Sequence, residues 1–299
     1  MTPDEGPAIR FAGVTRRFRP RRGTEARGVL DLTFEVAAGE IVCLVGAPGA
    51  GKSTILRLAA GLEHPDAGTV QVAGELATSP AAHARIGFVP AAPVFPRALE
   101  VREALAHFAA LHPNGATAGR NISITLETWG LGEQAERRVE RLGAPERRRL
   151  GMAQAALGGR RILLLDETLQ GVDPVTRRDL GDRLQRFAGD GAAVLLTASD
   201  PVGLERVTDR FLILHAGRVV HSAATPALLG QRVLEVTLDA PPREPPPGFR
   251  LTRSGMEADL GTRSAEAALA LCRAHRLAVR GSRVRLKSLD EVTFDALTR

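Results

Sequence analysis

The chain has 299 residues, enough to bury a full core and to hold one large domain beside a smaller one. Its formal charge of +6 permits an acidic partner or an anionic membrane surface, but the arginines are scattered in pairs without a long basic run, so the excess reads as composition. Cys43 and Cys272 are the two cysteines, too few for a disulfide framework, and both stand in apolar patterns as small fillers of a reducing compartment.

Taken in order, Ala8–Val14 alternates as a strand and Phe18 follows in a basic segment. Gly28–Val36 is a second strand, turned by Ala38 and Gly39 into the apolar run Glu40–Val45. Thr54–Ala60 reads as a helix, and Thr69–Val72 and Ile86–Val89 as short strands, the latter ended by Pro90. Apolar residues at three- and four-residue spacing predict helices at Leu99–Leu111, Ile122–Trp129 and Glu146–Leu157. Strand character returns at Ile162–Leu165, Ala193–Thr197 and Phe211–Leu214, so strands alternate with helices and a mostly parallel sheet is expected. Beyond about residue 230 the pattern changes: a strand at Val233–Leu238, a Pro-rich loop at 240–248, a helix at Ser264–His275, a strand at Arg283–Leu286 and a last segment, Ser288–Leu297. The fold expected is α/β, a P-loop core with an antiparallel β region and a helical insert, plus a small C-terminal α/β module. The boundaries expected are 1–230, with the insert at about 97–160, and 231–299.

The chemistry concentrates at Gly46–Thr54, GAPGAGKST, directly after the apolar run. It fits the phosphate-binding pattern GxxxxGK followed by Ser or Thr, with Gly46, Gly51, Lys52 and Ser53 at the required spacing and Gly49 within the loop. Glycines let successive backbone N–H groups turn towards one anion. Lys52 supplies a point charge for the β- and γ-phosphates, the Ser53 hydroxyl a ligand for Mg²⁺, and the helix from Thr54 a positive N-terminus. A glycine-rich turn could meet the pattern by chance, but a buried strand before it and a helix after it are what the mechanism needs.

The second half of the site is Arg161–Glu167, RILLLDE. A buried parallel strand delivers its C-terminal end to the ligand crevice, which sets Asp166 beside the loop as a Mg²⁺ ligand and Glu167 as general base for water. The seven histidines show no paired ligand spacing, so no further metal is expected.

On these segments the chain resembles ATP-binding-cassette (ABC) ATPases of exporter type over about residues 8–230. GAPGAGKSTILRLAAGLEHPDAGTVQVAG is similar to the family's phosphate loop, helix, turn and strand; ILLLDETLQGVDP is similar to its Mg²⁺ and base strand and dimer-contact loop; VLLTASD and DRFLILHAGRVV resemble its closing strands. SLDEVTF at Ser288–Phe294 resembles the end of an accessory tail of drug- and polysaccharide-exporter cassettes. The resemblance implies ATP and Mg²⁺ as cofactors, a dimer sandwiching two ATP molecules, and separate membrane-spanning subunits as partners. It also implies Phe18 as an adenine-stacking residue, with ordinary packing as the alternative, and Asp173 as an inter-subunit contact. No signal-peptide core or membrane span is legible, so the chain is expected in the cytoplasm, peripheral on the inner face of the membrane.

Three positions depart from the family pattern. Ala91 stands where a glutamine is expected and Ser199 where a histidine is expected. Leu142–Glu146 reads LGAPE in place of LSGGQ: Gly143 has no hydroxyl, and Pro145 has no N–H to offer a phosphate. A homodimer would carry these losses twice, which favours a heterodimer in which this chain is the degenerate ATPase, turning over slowly or only with a partner. The alternatives are a nucleotide-binding regulatory or structural subunit, a cassette acting on nucleic acid and a small-molecule kinase. Retention of Glu167 opposes the first; the absence of a repeat or an aromatic–basic platform opposes the second; the ILLLDE and VLLT strands around a helical insert oppose the third.

Overall fold

In the computed structural model residues 6–18, 27–111, 119, 121–240, 242, 244–252, 255–261, 263–288, 291–293 and 295 are described. Pro241 and Arg243 of the Pro-rich loop, and Leu289, Asp290, Phe294, Ala296 and Leu297 of the expected tail segment, lie outside them. The chain divides at Ser222/Ala223 into two compact units.

The first unit opens with β1 (Ile9–Phe18) and β2 (Arg27–Val36), followed by β3 (Ile41–Val45) and α1 (Lys52–Ala59). Next come β4 (Ala67–Val72), β5 (Glu75–Leu76), α2 (Pro80–Arg85) and β6 (Ile86–Val89). The helical segment holds α3 (Val101–Ala110), α4 (Ile122–Thr128) and α5 (Ala144–Ala156). The unit closes with β7 (Ile162–Leu165), α6 (Pro174–Gly189), β8 (Ala193–Ala198), β9 (Arg210–His215) and β10 (Arg218–Ala224).

Two sheets organise it. A six-stranded sheet has the order β10-β9-β3-β8-β7-β6, and β9 through β6 run parallel. Its central strands β3, β7 and β8 are buried at every residue, as continuous apolar runs covered on both faces must be. The edge strand β10 alternates between half-buried and exposed. The second sheet, β2-β1-β4-β5, is antiparallel and carries Phe11 stacked on Phe34 with ring centroids 4.5 Å apart. Helix α1 buries Ile55, Leu56, Leu58 and Ala59, and its apolar face joins the core that both sheets share.

Two of the helices between β6 and β7, α3 and α5, start on their own acidic residues. Glu103 accepts from Glu100 N–H at 2.9 Å at the head of α3, and Glu146 accepts from Gly143 N–H at 2.7 Å at the head of α5. Trp129, expected as packing, is fully buried with its ring 5.9 Å from Phe187 of α6. The charged stretches 136–141 and 146–149 read as solvated helix faces; the charged residues of the first are exposed as expected, but the structure corrects its helical character and the solvated character of the second. Val139–Arg141 is a single tight turn rather than an α-helix. Arg148 donates to Thr168 O at 2.5 Å, and Arg149 meets Asp179 of α6 at 2.9 Å. Helix α6 itself was not expected: its solvent face is densely charged, and only Leu180, Leu184 and Ala188 mark the buried stripe.

The second unit comprises α7 (Thr225–Leu229), β11 (Arg232–Leu238), β12 (Phe249–Thr252), β13 (Gly255–Asp259), α8 (Ala265–Ala274) and β14 (Val279–Leu286). The antiparallel sheet has the order β12-β13-β11-β14. Leu234, Val236, Met256 and Ala258 form its core with Ala268 and Cys272 of α8. The β12–β13 hairpin is a further element the residue pattern did not reveal. Its strands are only four and five residues long. Strand β14 instead runs four residues longer at its start than expected.

Candidate functional site

The loop Gly46–Gly51 leaves the C-terminal end of β3, whose neighbours are β8 and β9. Glycine is required at two of its positions. A Cβ on Gly46 would stand 2.6 Å from Leu214 O, so only a bare Cα lets the loop cross β9. Gly51 sits at φ +109, where a side chain would also meet Val29 Cγ1 at 2.7 Å. Helix α1 then starts without a side-chain cap, so its first N–H groups have no side-chain acceptor of their own.

Lys52 folds back over this loop and is 6% exposed. Its ammonium donates to Gly46 O at 2.7 Å, Ala47 O at 3.2 Å and Ser199 Oγ at 2.9 Å, with Glu167 Oε1 at 3.7 Å. Burial pushes its pKa below the ordinary lysine value, and the carboxylates of Glu167 and Asp166 oppose that shift.

The neighbouring strand ends supply the acids. Asp166 N–H closes onto Val89 O at 2.9 Å as β7 ends. Asp166 Oδ1 accepts from Ser53 Oγ at 3.1 Å and from Thr197 Oγ1 at 2.8 Å. Thr197 Oγ1 also accepts from Glu167 N–H at 2.9 Å, so one hydroxyl on β8 fixes both acidic residues. Glu167 sits at φ +48, a left-handed conformation uncommon outside glycine and asparagine. Its Oε1 accepts from Ser199 Oγ at 2.5 Å. Gln170 Oε1 in turn accepts from Ser199 N–H at 2.8 Å.

Part of this arrangement borders a cleft of about 360 Å³. Gly49, Gly51, Lys52, Ser53 and Thr54 line it, together with Phe18, Ala91 and Glu167. Gly46 and Asp166 touch it indirectly, Gly46 through its carbonyl on Lys52 and Asp166 through Ser53. Phe18 carries the Arg16 guanidinium 5.1 Å from its ring centroid. Asp173 is not part of the cleft lining; its carboxylate caps α6, accepting from Val175 N–H at 3.1 Å and Thr176 N–H at 3.0 Å. Thr197 and Gln170 are the supports that residue patterns missed. Thr197 was visible only as the last residue of an apolar strand, and Gln170 carried no signal.

The donor set suits a hard divalent cation. Asp166 is buried, surrounded by hydroxyls, and makes no ion pair among the described residues. A hydroxyl and a carboxylate in contact are the oxygen ligands Mg²⁺ takes beside nucleotide phosphates. The three departures are equally concrete. Ala91 offers the cleft a methyl group, Ser199 reaches Lys52 and Glu167, and the head of α5 is closed by Glu146, itself 3.2 Å from Arg137.

Comparison with known proteins agrees with this geometry. Residues 29–170 match the family model described as ABC transporter. The Nod factor export ATP-binding protein I of Burkholderia orbicola (strain AU 1054) is 35% identical over 208 residues, covering 69% of this chain and 68% of that protein. Its namesake from Paraburkholderia xenovorans (strain LB400) is 34% identical over 229 residues, covering 76% of this chain and 74% of that protein. A solved ATP-binding subunit of an ABC transporter superposes with a TM-score of 0.62 at 26% identity, covering 74% of this chain and 91% of that one. A dimeric cassette in a post-hydrolysis state bound to ADP and Pi shares the fold, with a TM-score of 0.64 at 21% identity over 73% of this chain and 98% of that one. A phosphate loop, two strand-end carboxylates and relatives of this closeness lead to one assignment: the chain belongs to the ABC transporter family, as an ATP-binding subunit.

Proposed function

We propose that this chain is the degenerate ATPase of a heterodimeric pair that drives export, hydrolysing ATP slowly or only with its partner. The single observation that carries the reading is the Glu146 carboxylate 2.7 Å from Gly143 N–H. A phosphate approaching that helix N-terminus meets an anion already bound, and Pro145 in the same turn has no N–H to offer. The other half of the site, apart from Ala91 and Ser199, keeps the phosphate loop, the Mg²⁺ ligands and the base. On this reading Gly46, Gly49, Gly51 and Thr54 bind phosphate through the backbone, Lys52 through its charge, and Phe18 stacks on adenine. Ser53 and Asp166 hold Mg²⁺, which when bound draws negative charge from the phosphates. Glu167 is the base that takes a proton from water. Asp173 contacts the partner subunit from the head of α6.

Two further expectations belong to this reading. The relatives are named for export, and no helix among the described residues is long and apolar enough to cross a membrane. The chain would therefore work on the cytoplasmic face beside membrane-spanning subunits, with residues 1–230 as nucleotide-binding domain and 231–299 as accessory module. A regulatory or structural subunit is the second reading, favoured by the methyl group of Ala91 in the cleft.

The test is steady-state ATPase of the purified full chain beside Glu167→Gln and a variant carrying Gly143→Ser, Ala144→Gly, Pro145→Gly and Glu146→Gln. The degenerate reading expects slow turnover that rises at least tenfold in the fourfold variant. Brisk turnover of the unmodified chain, abolished by Glu167→Gln, would overturn it. A fourfold variant that stays inert despite tight ATP binding would favour the regulatory reading.

A further inference from the structure

Ser199 stands between the two groups on which phosphate chemistry depends. Its hydroxyl oxygen accepts from Lys52 Nζ at 2.9 Å and its hydrogen goes to Glu167 Oε1 at 2.5 Å, while Lys52 and Glu167 approach each other to 3.7 Å. A serine hydroxyl can do both because it carries one donor and two acceptor lone pairs. It is held in place by its own backbone: Ser199 N–H donates to Gln170 Oε1 at 2.8 Å, and Gln170 lies three residues past Glu167. The result is a closed ring, in which the end of β8 leads into Ser199 and the segment after β7 presents both Glu167 and Gln170.

We propose that Ser199 is a positioning residue that ties Glu167 to Lys52, setting nucleotide affinity against catalytic readiness. Lys52 has two carbonyls, one hydroxyl and one carboxylate around its ammonium. A phosphate oxygen that takes an N–H of Lys52 competes directly with Ser199 Oγ. Breaking that bond also loosens Glu167, because hydrogen bonds in a chain polarise and reinforce one another. The same hydroxyl restricts the Glu167 carboxylate, whose backbone is already confined at φ +48. Removing the hydroxyl therefore has two opposite effects. Phosphate binding becomes tighter, because one competitor for Lys52 is gone. Turnover becomes slower, because the carboxylate is free to swing. A residue that merely supported the fold would weaken both together.

This inference rests on the reading of Lys52 as the phosphate cation and Glu167 as the base, and the test separates the two. ADP binding to the full chain is measured by titration calorimetry for the unmodified protein, Ser199→Ala, Ser199→Thr and Lys52→Ala, each first checked by thermal melting. ADP isolates the effect on Lys52 because it has no γ-phosphate for Ser199 to meet. Ser199→Ala is expected to bind ADP about two- to tenfold more tightly, the size of one net hydrogen bond, and Ser199→Thr to match the unmodified chain. With ATP, kcat and KM of Ser199→Ala are both expected to fall. ADP affinity unchanged or weakened in a Ser199→Ala protein of normal melting temperature overturns the proposal. Undiminished ADP binding by Lys52→Ala would instead overturn the underlying assignment of the phosphate cation.

Discussion

The Thr197 hydroxyl lies 2.8 Å from Asp166 Oδ1 and accepts the Glu167 N–H at 2.9 Å, so one side chain on β8 holds the two consecutive acidic residues that follow β7. Thr197→Val keeps the shape and removes both bonds. Asp166 loses a donor while buried, and the Glu167 amide loses its acceptor. A loss of about 2 kcal/mol of stability is expected, read as a lower urea midpoint with an unchanged slope. A substitution of no consequence there would mean that the strand ends are fixed by packing alone.

Lys52→Met tests the phosphate loop. The straight apolar side chain fills a similar volume but leaves Gly46 O and Ala47 O without their shared donor. ATP affinity is expected to fall at least tenfold, since charge-assisted bonds to phosphate are worth about 1.5–3 kcal/mol each. Equilibrium dialysis with ATP would register this, and an affinity within twofold of the unmodified chain would contradict it.

Asp179 bridges two helices, meeting Arg149 of α5 at 2.9 Å and Arg183 of α6 at 3.1 Å. Burial raises its pKa, but the bonds and charge of Arg183 and Arg149 outweigh that and hold the carboxyl below the usual aspartate range. A depressed folded value means that the stabilisation is present above the unfolded pKa and is lost as pH falls through the folded one. Asp179→Asn should therefore cost about 1 kcal/mol at pH 7 and progressively less below pH ~4. Melting curves at the two pH values compare directly.

In the second unit Arg285 of β14 grips Glu291 with a two-pronged pair at 2.7 and 2.6 Å. That hydrogen bonding brings the Glu291 carboxyl down to about 2. The sign is the same as for Asp179. The pair stabilises above the unfolded glutamate value of ~4.3 and gives way as pH drops towards the folded value. Hydrogen exchange of β14 amides in the full chain should show protection fading across that window in the unmodified protein. Arg285→Met should already lack the Glu291 contribution at neutral pH, with protection that lacks this loss between pH ~4 and ~2.

Legibility followed burial and chain proximity. Ile86–Val89 and Ile162–Leu165 could be delimited because continuous apolar runs end at Pro90 and Asp166, and the structure has strands with those bounds. The phosphate loop was legible because its function requires consecutive residues. Helix α6 escaped because a half-exposed helix of TRRDLGDRLQR shows too thin an apolar stripe against its charges. The β12–β13 hairpin escaped because its strands are only four and five residues long. Thr197, Gln170 and the ring through Ser199 were out of reach for another reason: they join residues about 30 positions apart, and only the parallel register of β7 and β8 brings them together. The closure of α5 by Glu146 was, by contrast, within reach, since an acid three residues after the N-cap residue commonly reaches back to its N–H.

The left-handed backbone at Glu167 bears on ancestry. A side chain in that conformation is less stable than glycine by about 1–2 kcal/mol, so drift without selection for a carboxylate has a downhill exit at this codon. Position 167 nevertheless holds a strained acid. A lineage that had retired from chemistry would have had a thermodynamic incentive to give that residue up.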